Sequence, residues 1–338
     1  MKPPIVVDDL YLALGGRPVL RGISFTVHAG DVFGFLGPNG AGKTTTIRTL
    51  LGLYRPDRGA LTVMGHAAGT DAARQQIGFV LDDDGLYDGM SATANIAFWL
   101  QLYGRRTDPA RIAEVLALVG LADRADDPVG TFSTGMRRRC ALARAIAHRP
   151  PVVVLDEPTS GVDPGAQREI HDLLRTIAST EGATILLSSH NLEEVQRLCN
   201  RIAIIADGEI QLAGELTELR HRLGRHTITV EVDQPASEET VAELAADERL
   251  GLREAMGTRL RLVPATALRT AELVARLDAA GLEVMTVSRD DATVEDLFAA
   301  AVADADDPGA GNVPAASGAT SHQSLAGARR KRRSWGRR

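Results

Sequence analysis

Short apolar runs alternate with amphipathic segments through the first 222 residues of the chain. Several of these runs are rich in β-branched residues and have the length of buried strands. Because they alternate with helical patterns, they predict a parallel sheet covered by helices, which is an α/β fold. The predicted strands are "ISFTV", "DVFGFL", "IGFVL", "PVVVLD", "ATILLSS" and "RIAIIA".

A different pattern begins after the polar stretch "HRLGRH". The runs "TITVEV", "LRLV" and "LEVMTVS" predict strands, "TALRTAELVARLDAAG" predicts an amphipathic helix, and "TVEDLFAAAVA" predicts a closing helix. We therefore predict a first domain at 1–222, a small α+β accessory domain at 223–303 and a C-terminal tail at 304–338. The tail is rich in Gly, Ala, Pro and Ser and lacks apolar periodicity, so it is predicted to be disordered.

Composition and charge limit the possible partners. The chain carries a net charge of -6, although residues 304–338 alone hold seven basic and three acidic residues. The rest of the chain, residues 1–303, is therefore acidic, which argues against nucleic-acid binding. The basic tail predicts either contact with anionic lipids or a disordered, solubilising segment. No apolar run approaches the ~20 residues that span a bilayer, and Cys140 and Cys199, which lack any metal-site spacing, are expected to be buried thiols.

The segment "GPNGAGKTTT" follows the apolar strand "VFGFL", precedes a helix-like segment and matches the pattern G-x-x-x-x-G-K-[ST]. Its glycines allow several backbone N–H groups to point at one anion, and the helix N-terminus adds a favourable dipole. This context favours a nucleoside triphosphate site over a glycine-rich turn with a solvated lysine. The predicted nucleotide-binding residues are Gly37, Pro38, Asn39, Gly40, Ala41, Gly42, Lys43, Thr44 and Thr45.

Lys43 is unusual because lysine is rare in this chain. Only Lys2 and Lys331 accompany it, and every other member of the 38 Lys and Arg residues is arginine. A compact ammonium group can lie between β- and γ-phosphates, whereas a planar guanidinium is wider and fixed in a fork. We therefore predict a catalytic role for Lys43 and Mg²⁺ binding by the hydroxyl of Thr44.

A second segment, "VVVLDEPTSGVD", supplies carboxylates. Four apolar residues before Asp156 predict a buried strand whose end directs this carboxylate toward Mg²⁺, and Glu157 can polarise a water for attack on the γ-phosphate. An acidic pair that caps a helix is the alternative. Downstream, "ATILLSSH" ends another apolar strand at His190, and upstream "FSTGMRRRCALARAIAHRP" opens an arginine-rich helix at a Ser-x-Gly turn.

This set and order of motifs resembles the ATP-binding cassette (ABC) ATPase family over residues 7 to about 222. The resemblance implies an ABC-type P-loop NTPase fold with a helical subdomain at about 83–149, and ATP and Mg²⁺ as cofactors. It also implies that Asp156 binds Mg²⁺, that Glu157 is the general base and that His190 is the switch histidine near the γ-phosphate.

The resemblance extends to two segments that work between subunits. "STGM" stands where the family has its signature segment, which caps the ATP bound to the opposite subunit, and Ser133 and Gly135 keep the required hydroxyl and backbone chemistry. "SGVD", Ser160 to Asp163, resembles the family's D-loop. Arg137 to Arg139, which follow the signature, are compatible with a solvated helix face.

Two positions depart from the family pattern. Leu14 stands where an aromatic residue usually stacks on adenine, and Tyr11 is expected to point to the opposite face of the strand. Asp82 stands where a glutamine commonly connects Mg²⁺ with the transporter contact. A carboxylate at this position can approach Mg²⁺, so Asp82 is a candidate metal ligand beside Thr44 and Asp156. An exposed acidic loop is the alternative.

The family contains transporter motors and soluble machines, and this chain carries one cassette without a long coiled coil or zinc cysteines between its motifs. The resemblance therefore implies an ATPase subunit that pairs with a second cassette, as a homodimer, and powers a separately encoded multi-helix permease at the cytoplasmic face of the cell membrane. The segments "STGM" and "LEVMTVSRDDATVEDLF" resemble those of the export branch, which moves drugs, antibiotics, lipids or glycans. A soluble ABC ATPase of regulatory, translation or repair type is the alternative, and a binding module without turnover is a third possibility.

Overall fold

The computed structural model describes residues 2–224, 228–247, 249–264, 268–289 and 293–306. The first part of the chain contains two sheets and eight α-helices within the described residues. Its strands are β1 (Ile5–Leu14), β2 (Arg17–Val27), β3 (Val32–Leu36), β4 (Arg58–Val63), β5 (His66–Ala67), β6 (Ile77–Val80), β7 (Val152–Asp156), β8 (Thr184–Ser189), β9 (Arg201–Ala206) and β10 (Glu209–Glu215). Its helices are α1 (Lys43–Leu50), α2 (Asp71–Arg74), α3 (Ala92–Leu102), α4 (Pro109–Leu118), α5 (Thr134–Ile146), α6 (Pro164–Thr180), α7 (Leu192–Leu198) and α8 (Leu216–Gly224).

The central sheet has six strands in the order β10-β9-β3-β8-β7-β6. The strands β9, β3, β8, β7 and β6 pair in parallel, and β10 joins the edge as an antiparallel strand. All side chains of β7 and β8 are buried, as expected for central strands covered on both faces. The predicted α/β fold is therefore confirmed. Five of the six predicted strands lie in this sheet. The placement of "ISFTV" in the parallel sheet is wrong, because these residues belong to β2 of a separate antiparallel sheet.

A second, antiparallel sheet with the order β2-β1-β4-β5 was not predicted. Its strand β1 carries register shifts around Asp9, whose φ of 46° interrupts the alternation of inward and outward side chains. The two sheets meet through aromatic packing, because the Phe25 ring of β2 lies 5.5 Å from that of Phe33 and 5.2 Å from that of Phe35 on β3.

The helices α3, α4 and α5 lie in the region predicted as a helical subdomain. Their apolar faces join the core that also covers the inner strands. Cys140 and Cys199 are buried free thiols as expected, and burial raises the pKa of Cys140 to about 12. Among the described residues, no helix is both long enough and apolar enough to cross a membrane.

The accessory region forms a β-α-β-β-α-β unit with its own apolar core. It consists of β11 (Ile228–Val232), α9 (Glu238–Ala246), β12 (Leu252–Met256), β13 (Arg259–Leu262), α10 (Thr270–Ala279) and β14 (Val284–Arg289). The sheet is antiparallel in the order β12-β13-β11-β14. Three of its strands and α10 correspond to predicted elements, whereas α9 and β12 were not predicted.

The closing helix α11 (Val294–Asp306) packs away from the accessory core. Val294, Leu297 and Ala301 are buried in the core cluster of the first domain, where α11 contacts α7, α8, β9 and β10. Its link to the accessory sheet is an ion pair of Asp296 with Arg261, at 3.0 Å. The helix was predicted to belong to the accessory domain, and it bridges both parts instead. It extends to Asp306, and the rest of the predicted tail lies outside the described residues.

We expect Leu297→Ala to destabilise the first domain by about 2–5 kcal/mol, because it removes a buried side chain from that core. Amide hydrogen exchange should become faster in α7 and α8. The matched control is Leu273→Ala in α10, which lies in the accessory core and should accelerate exchange there alone. Faster exchange confined to the accessory unit in Leu297→Ala would contradict the packing described here.

Candidate functional site

The predicted site residues meet at one edge of the central sheet. Leu36 of β3 is the pairing partner of Ser189 on β8, and Ser188 is the partner of Asp156 on β7. Because these three strands run in parallel, the segments that follow them emerge side by side at their carboxyl ends. The glycine-rich loop, the Asp156–Glu157 pair and His190 are brought together in this way.

The loop between β3 and α1 has the conformation that its glycines allow. Gly40 and Gly42 have φ values of 83° and 115°, and a Cβ on Gly37 would collide with the carbonyl oxygen of Ile205. Gly42 precedes α1, and its carbonyl oxygen accepts hydrogen bonds from the backbone N–H and the hydroxyl of Thr46. The loop therefore leads directly into a helix N-terminus, the arrangement that binds phosphate.

Lys43 is held inside this loop. Its buried Nζ donates hydrogen bonds to the carbonyl oxygens of Gly37, at 2.7 Å, and Pro38, at 3.3 Å, and lies 3.7 Å from Glu157 Oε1. An ammonium group satisfies these partners from one point, whereas a guanidinium group would need a wider space. That this position requires lysine stays a prediction.

Ser188 joins the carboxylate pair to the neighbouring strand. Asp156 is buried, and its Oδ1 accepts hydrogen bonds from Ser188 Oγ at 2.6 Å and Thr44 Oγ1 at 3.2 Å. The Glu157 N–H donates to Ser188 Oγ at 3.0 Å. Ser188 was not recognised in the sequence, since a serine at the end of an apolar strand carries no motif of its own.

Glu157 and His190 are in direct contact across the cleft. The distance between His190 Nδ1 and Glu157 Oε2 is 2.7 Å. Glu157 adopts a φ of 50°, a left-handed backbone conformation that is rare for glutamate and that turns its side chain toward the cleft. The two residues predicted to act on the γ-phosphate are therefore brought together.

A cavity of about 490 Å³ lies over these groups. Asp82 lines it together with Lys43, Thr44, Asp156 and Glu157, whereas Gly37 and Ala41 are buried behind it. Among the described residues, no three His, Cys, Asp or Glu side chains are arranged to hold a metal ion. Mg²⁺ usually takes only one or two protein carboxylates and completes its shell with water and phosphate oxygens, so a cradle of backbone N–H groups beside Thr44 and Asp156 fits Mg²⁺ with a triphosphate.

The two signature residues lie elsewhere. Ser133 is the N-cap of α5, where its Oγ accepts a hydrogen bond from the Met136 N–H at 3.3 Å, and Gly135 is buried against Ala166. Neither is among the residues that line the cavity. One chain therefore does not bring the signature segment to its own phosphate loop.

Tyr11 pairs with both β2 and β4 within the antiparallel sheet. The Tyr11 ring packs over Gly22 and stacks with Arg58, whose guanidinium carbon is 5.2 Å from the ring centroid. Leu14 is partly exposed near the hairpin that follows β1. Tyr11 is not among the residues that line the cavity, and its exclusion as an adenine contact stays a prediction.

The interpretation of Arg137 to Arg139 as a solvated face is wrong. Arg137 donates to both oxygens of Asp84, at 2.7 and 3.0 Å, and to Asp88 at 2.6 Å. Arg138 donates to the carbonyl oxygen of Leu81 at 2.8 Å. The hydrogen bond that Arg137 donates to Asp84 is the main cause of the raised pKa of Arg137. The start of α5 is thus fastened to the loop that carries Asp82.

The fold and the phosphate loop define a P-loop nucleoside-triphosphate-binding protein. The sequence profile of the ABC transporter family matches residues 20–160. The chain is 43% identical over 225 residues to the linearmycin resistance ATP-binding protein LnrL of Bacillus subtilis, covering 65% of this chain and 72% of that protein. It is 40% identical over 256 residues to the Nod factor export ATP-binding protein I of Ralstonia nicotianae, covering 72% and 77%.

A solved structure described as the ATP-binding subunit of an ABC transporter shows the same fold. It superposes with a TM-score of 0.58 at 30% identity, covering 65% of this chain and 93% of that one. The chain belongs to the family of ABC transporter ATP-binding proteins. Membership in this family implies ATP binding and hydrolysis, as the motifs predicted.

We expect Lys43→Arg to reduce ATP turnover by about 100-fold although it preserves the charge, because the wider guanidinium cannot occupy the position of Nζ without displacing the loop. Steady-state phosphate release is the measurement. The same substitution at the exposed Lys2 is the matched control and should leave turnover unchanged. Near-normal turnover in Lys43→Arg would contradict the role assigned to this lysine.

Proposed function

We propose that this chain is the ATP-hydrolysing subunit of a membrane exporter, acting as a homodimer at the cytoplasmic face of the cell membrane. The observation that carries the proposal is the contact of Glu157 with His190 beside Lys43. A binding module without turnover has no need for a carboxylate base held against a histidine. The alternative, a soluble ABC ATPase, uses the same site but requires no permease.

Each residue of the cleft has a distinct role in this proposal. Lys43 and the backbone N–H groups of the loop hold the β- and γ-phosphates, and Thr44 and Asp156 hold Mg²⁺, which supplies charge neutralisation when bound. Glu157 accepts the proton of the attacking water. His190 orients Glu157 and contacts the γ-phosphate side of the cleft.

A second copy of the chain completes the site. Ser133 and Gly135 lie at the N-terminus of α5, outside the cavity that contains Lys43. A helix N-terminus with a serine hydroxyl is suited to an anion, and the γ-phosphate held by a partner subunit provides one. Since one chain carries both halves of the composite site, a homodimer is sufficient.

A groove on the first domain offers a docking site for the permease. It has a volume of about 590 Å³ and runs between the end of α1 and the helix α3. Leu53 and Leu102, which are 59% and 60% exposed, line it together with the aromatic residues Trp99 and Tyr103. Asp71 and Arg74 line it as charged groups. This combination suits a short amphipathic helix on the cytoplasmic side of a membrane protein.

The relatives support export as the direction of transport. The names of two of them refer to linearmycin resistance and to Nod factor export. The cargo contacts of such a system lie in the permease, so the cargo class remains the broad one of drugs, antibiotics, lipids or glycans. Contact of the basic tail with anionic lipids is an additional proposal on residues outside those described.

We expect Leu53→Asp and Leu102→Asp to weaken binding to the permease at least about tenfold, because each places a charge in an apolar contact. The measurement is co-purification with a co-expressed membrane protein of about six apolar helices, to be sought among the genes adjacent to that of this chain. Met285→Asp on β14, 65% exposed and not among the residues that line the groove, is the control. ATP turnover of the isolated variants should stay within about twofold of the unmodified protein. Undiminished binding by both groove variants would rule out this docking site.

We further propose that Asp82 approaches Mg²⁺ when the cation is bound. Asp82 lines the same cavity as Thr44 and Asp156, on a loop held by Arg138. Its charge adds to those of Asp156, Glu157 and the triphosphate, so closure of the site around the nucleotide depends strongly on the cation.

Asp82→Gln should therefore raise the Mg²⁺ concentration that gives half-maximal turnover, because it removes a carboxylate that attracts the cation. ATP turnover measured across a Mg²⁺ titration tests this. Asp83→Asn, on the adjacent exposed residue, serves as the control. An unchanged Mg²⁺ dependence in Asp82→Gln would refute the proposal and support an exposed acidic loop.

A further inference from the structure

A buried carboxylate lies behind the cleft and has no part in the site described so far. Glu194 belongs to the first turn of α7, which begins two residues after His190. Its side chain is 1% exposed. A carboxylate in such a place is costly unless hydrogen bonds compensate for the lost water, so its partners must be held firmly in position.

Glu194 receives three hydrogen bonds from three different segments of the chain. Ser189 Oγ donates to Oε2 at 2.5 Å, Thr159 Oγ1 donates to Oε1 at 2.9 Å, and His171 Nε2 lies 3.2 Å from Oε1. Ser189 Oγ also accepts from the Asn191 N–H at 2.9 Å, which directs its proton toward Glu194. The carboxylate therefore accepts on both oxygens.

The partners are neighbours of the groups that contact the nucleotide. Ser189 directly precedes His190. Thr159 lies between Glu157 and Ser160, and Ser160 lines the cavity. His171 is on α6, the helix that follows this loop. One carboxylate thus joins the loop after β7 to the loop after β8.

We propose that Glu194 is a positioning residue that fixes the distance between the loop carrying Glu157 and the loop carrying His190. The 2.7 Å contact of these two side chains requires both loops to keep their relative placement. Because Glu194 bonds to Ser189 on one side and Thr159 on the other, the two loops form one unit. The inference rests on the proposed roles of Glu157 and His190 in turnover.

Glutamine is the informative substitution for Glu194 because it preserves shape and burial. Its amide group has one acceptor oxygen, so one side of the network meets an NH₂ group instead. If the NH₂ faces Thr159 and His171, it can donate to His171 only when Nε2 of that ring carries no proton. The proton must then be on Nδ1, which is buried and has no hydrogen-bond partner. If it faces Ser189, the donor adjacent to His190 loses its acceptor.

The test compares Glu194→Gln with Glu193→Gln, an adjacent glutamate of the same helix that is 72% exposed. We expect kcat for ATP to fall roughly tenfold in Glu194→Gln while KM stays within about twofold, because the loop that binds the phosphates is not involved. Glu193→Gln should behave as the unmodified protein. Circular dichroism and the melting temperature report on folding separately.

A second substitution distinguishes positioning from general destabilisation. Thr159→Val removes one donor to the same carboxylate and should lower kcat to a smaller extent. Since both changes act through one network, the double variant should be no slower than Glu194→Gln alone. The inference would be overturned if the two effects on kcat multiplied in the double variant. It would also be overturned if Glu194→Gln left kcat unchanged or changed kcat and KM equally. Absence of ATP hydrolysis by the unmodified protein would instead contradict the proposed function.

Discussion

The pairing register of three neighbouring parallel strands determines where the reactive groups of this protein lie. Thr44 and Asp156 are 112 positions apart in the chain, yet their side chains are hydrogen bonded because β3, β8 and β7 end at the same edge of the sheet. The register also decides which side chains face the cleft. A shift of one residue in β7 would turn Asp156 to the opposite face of the sheet, and no loop rearrangement could compensate for that change.

Two adjacent serines at the end of β8 support the cleft from opposite sides. Side chains alternate along a strand, so Ser188 points to Asp156 while Ser189 points to Glu194. The first serine orients the acidic pair, and the second connects the same strand end to a network beneath the surface. The segment that leads to His190 is consequently anchored on both faces, as expected for a site whose geometry is set before the nucleotide binds.

The sequence predicted those elements whose formation depends on residues close together in the chain. Apolar runs predict the parallel strands, and the phosphate loop is recognised by its glycines and by Lys43. The partners of Arg137 were not predictable, because Asp84 is 53 positions away and approaches only in the folded chain. Strand β1 escaped recognition because Asp9 interrupts its alternation. The amphipathic pattern of α11 indicated that it packs on something, but such a pattern does not identify the partner surface.

The placement of α11 makes the accessory β-α-β-β-α-β unit an insertion rather than an appendage. The chain leaves the first domain after α8, whose Leu216 and Leu219 belong to the same core as Leu297 of α11, and it returns to that core at the end of the unit. The entropy of closing such a loop grows only with the logarithm of its length. Modules of different size can therefore occupy this position while α11 keeps its place in the core of the first domain, so the accessory unit can change without altering the residues that bind the nucleotide.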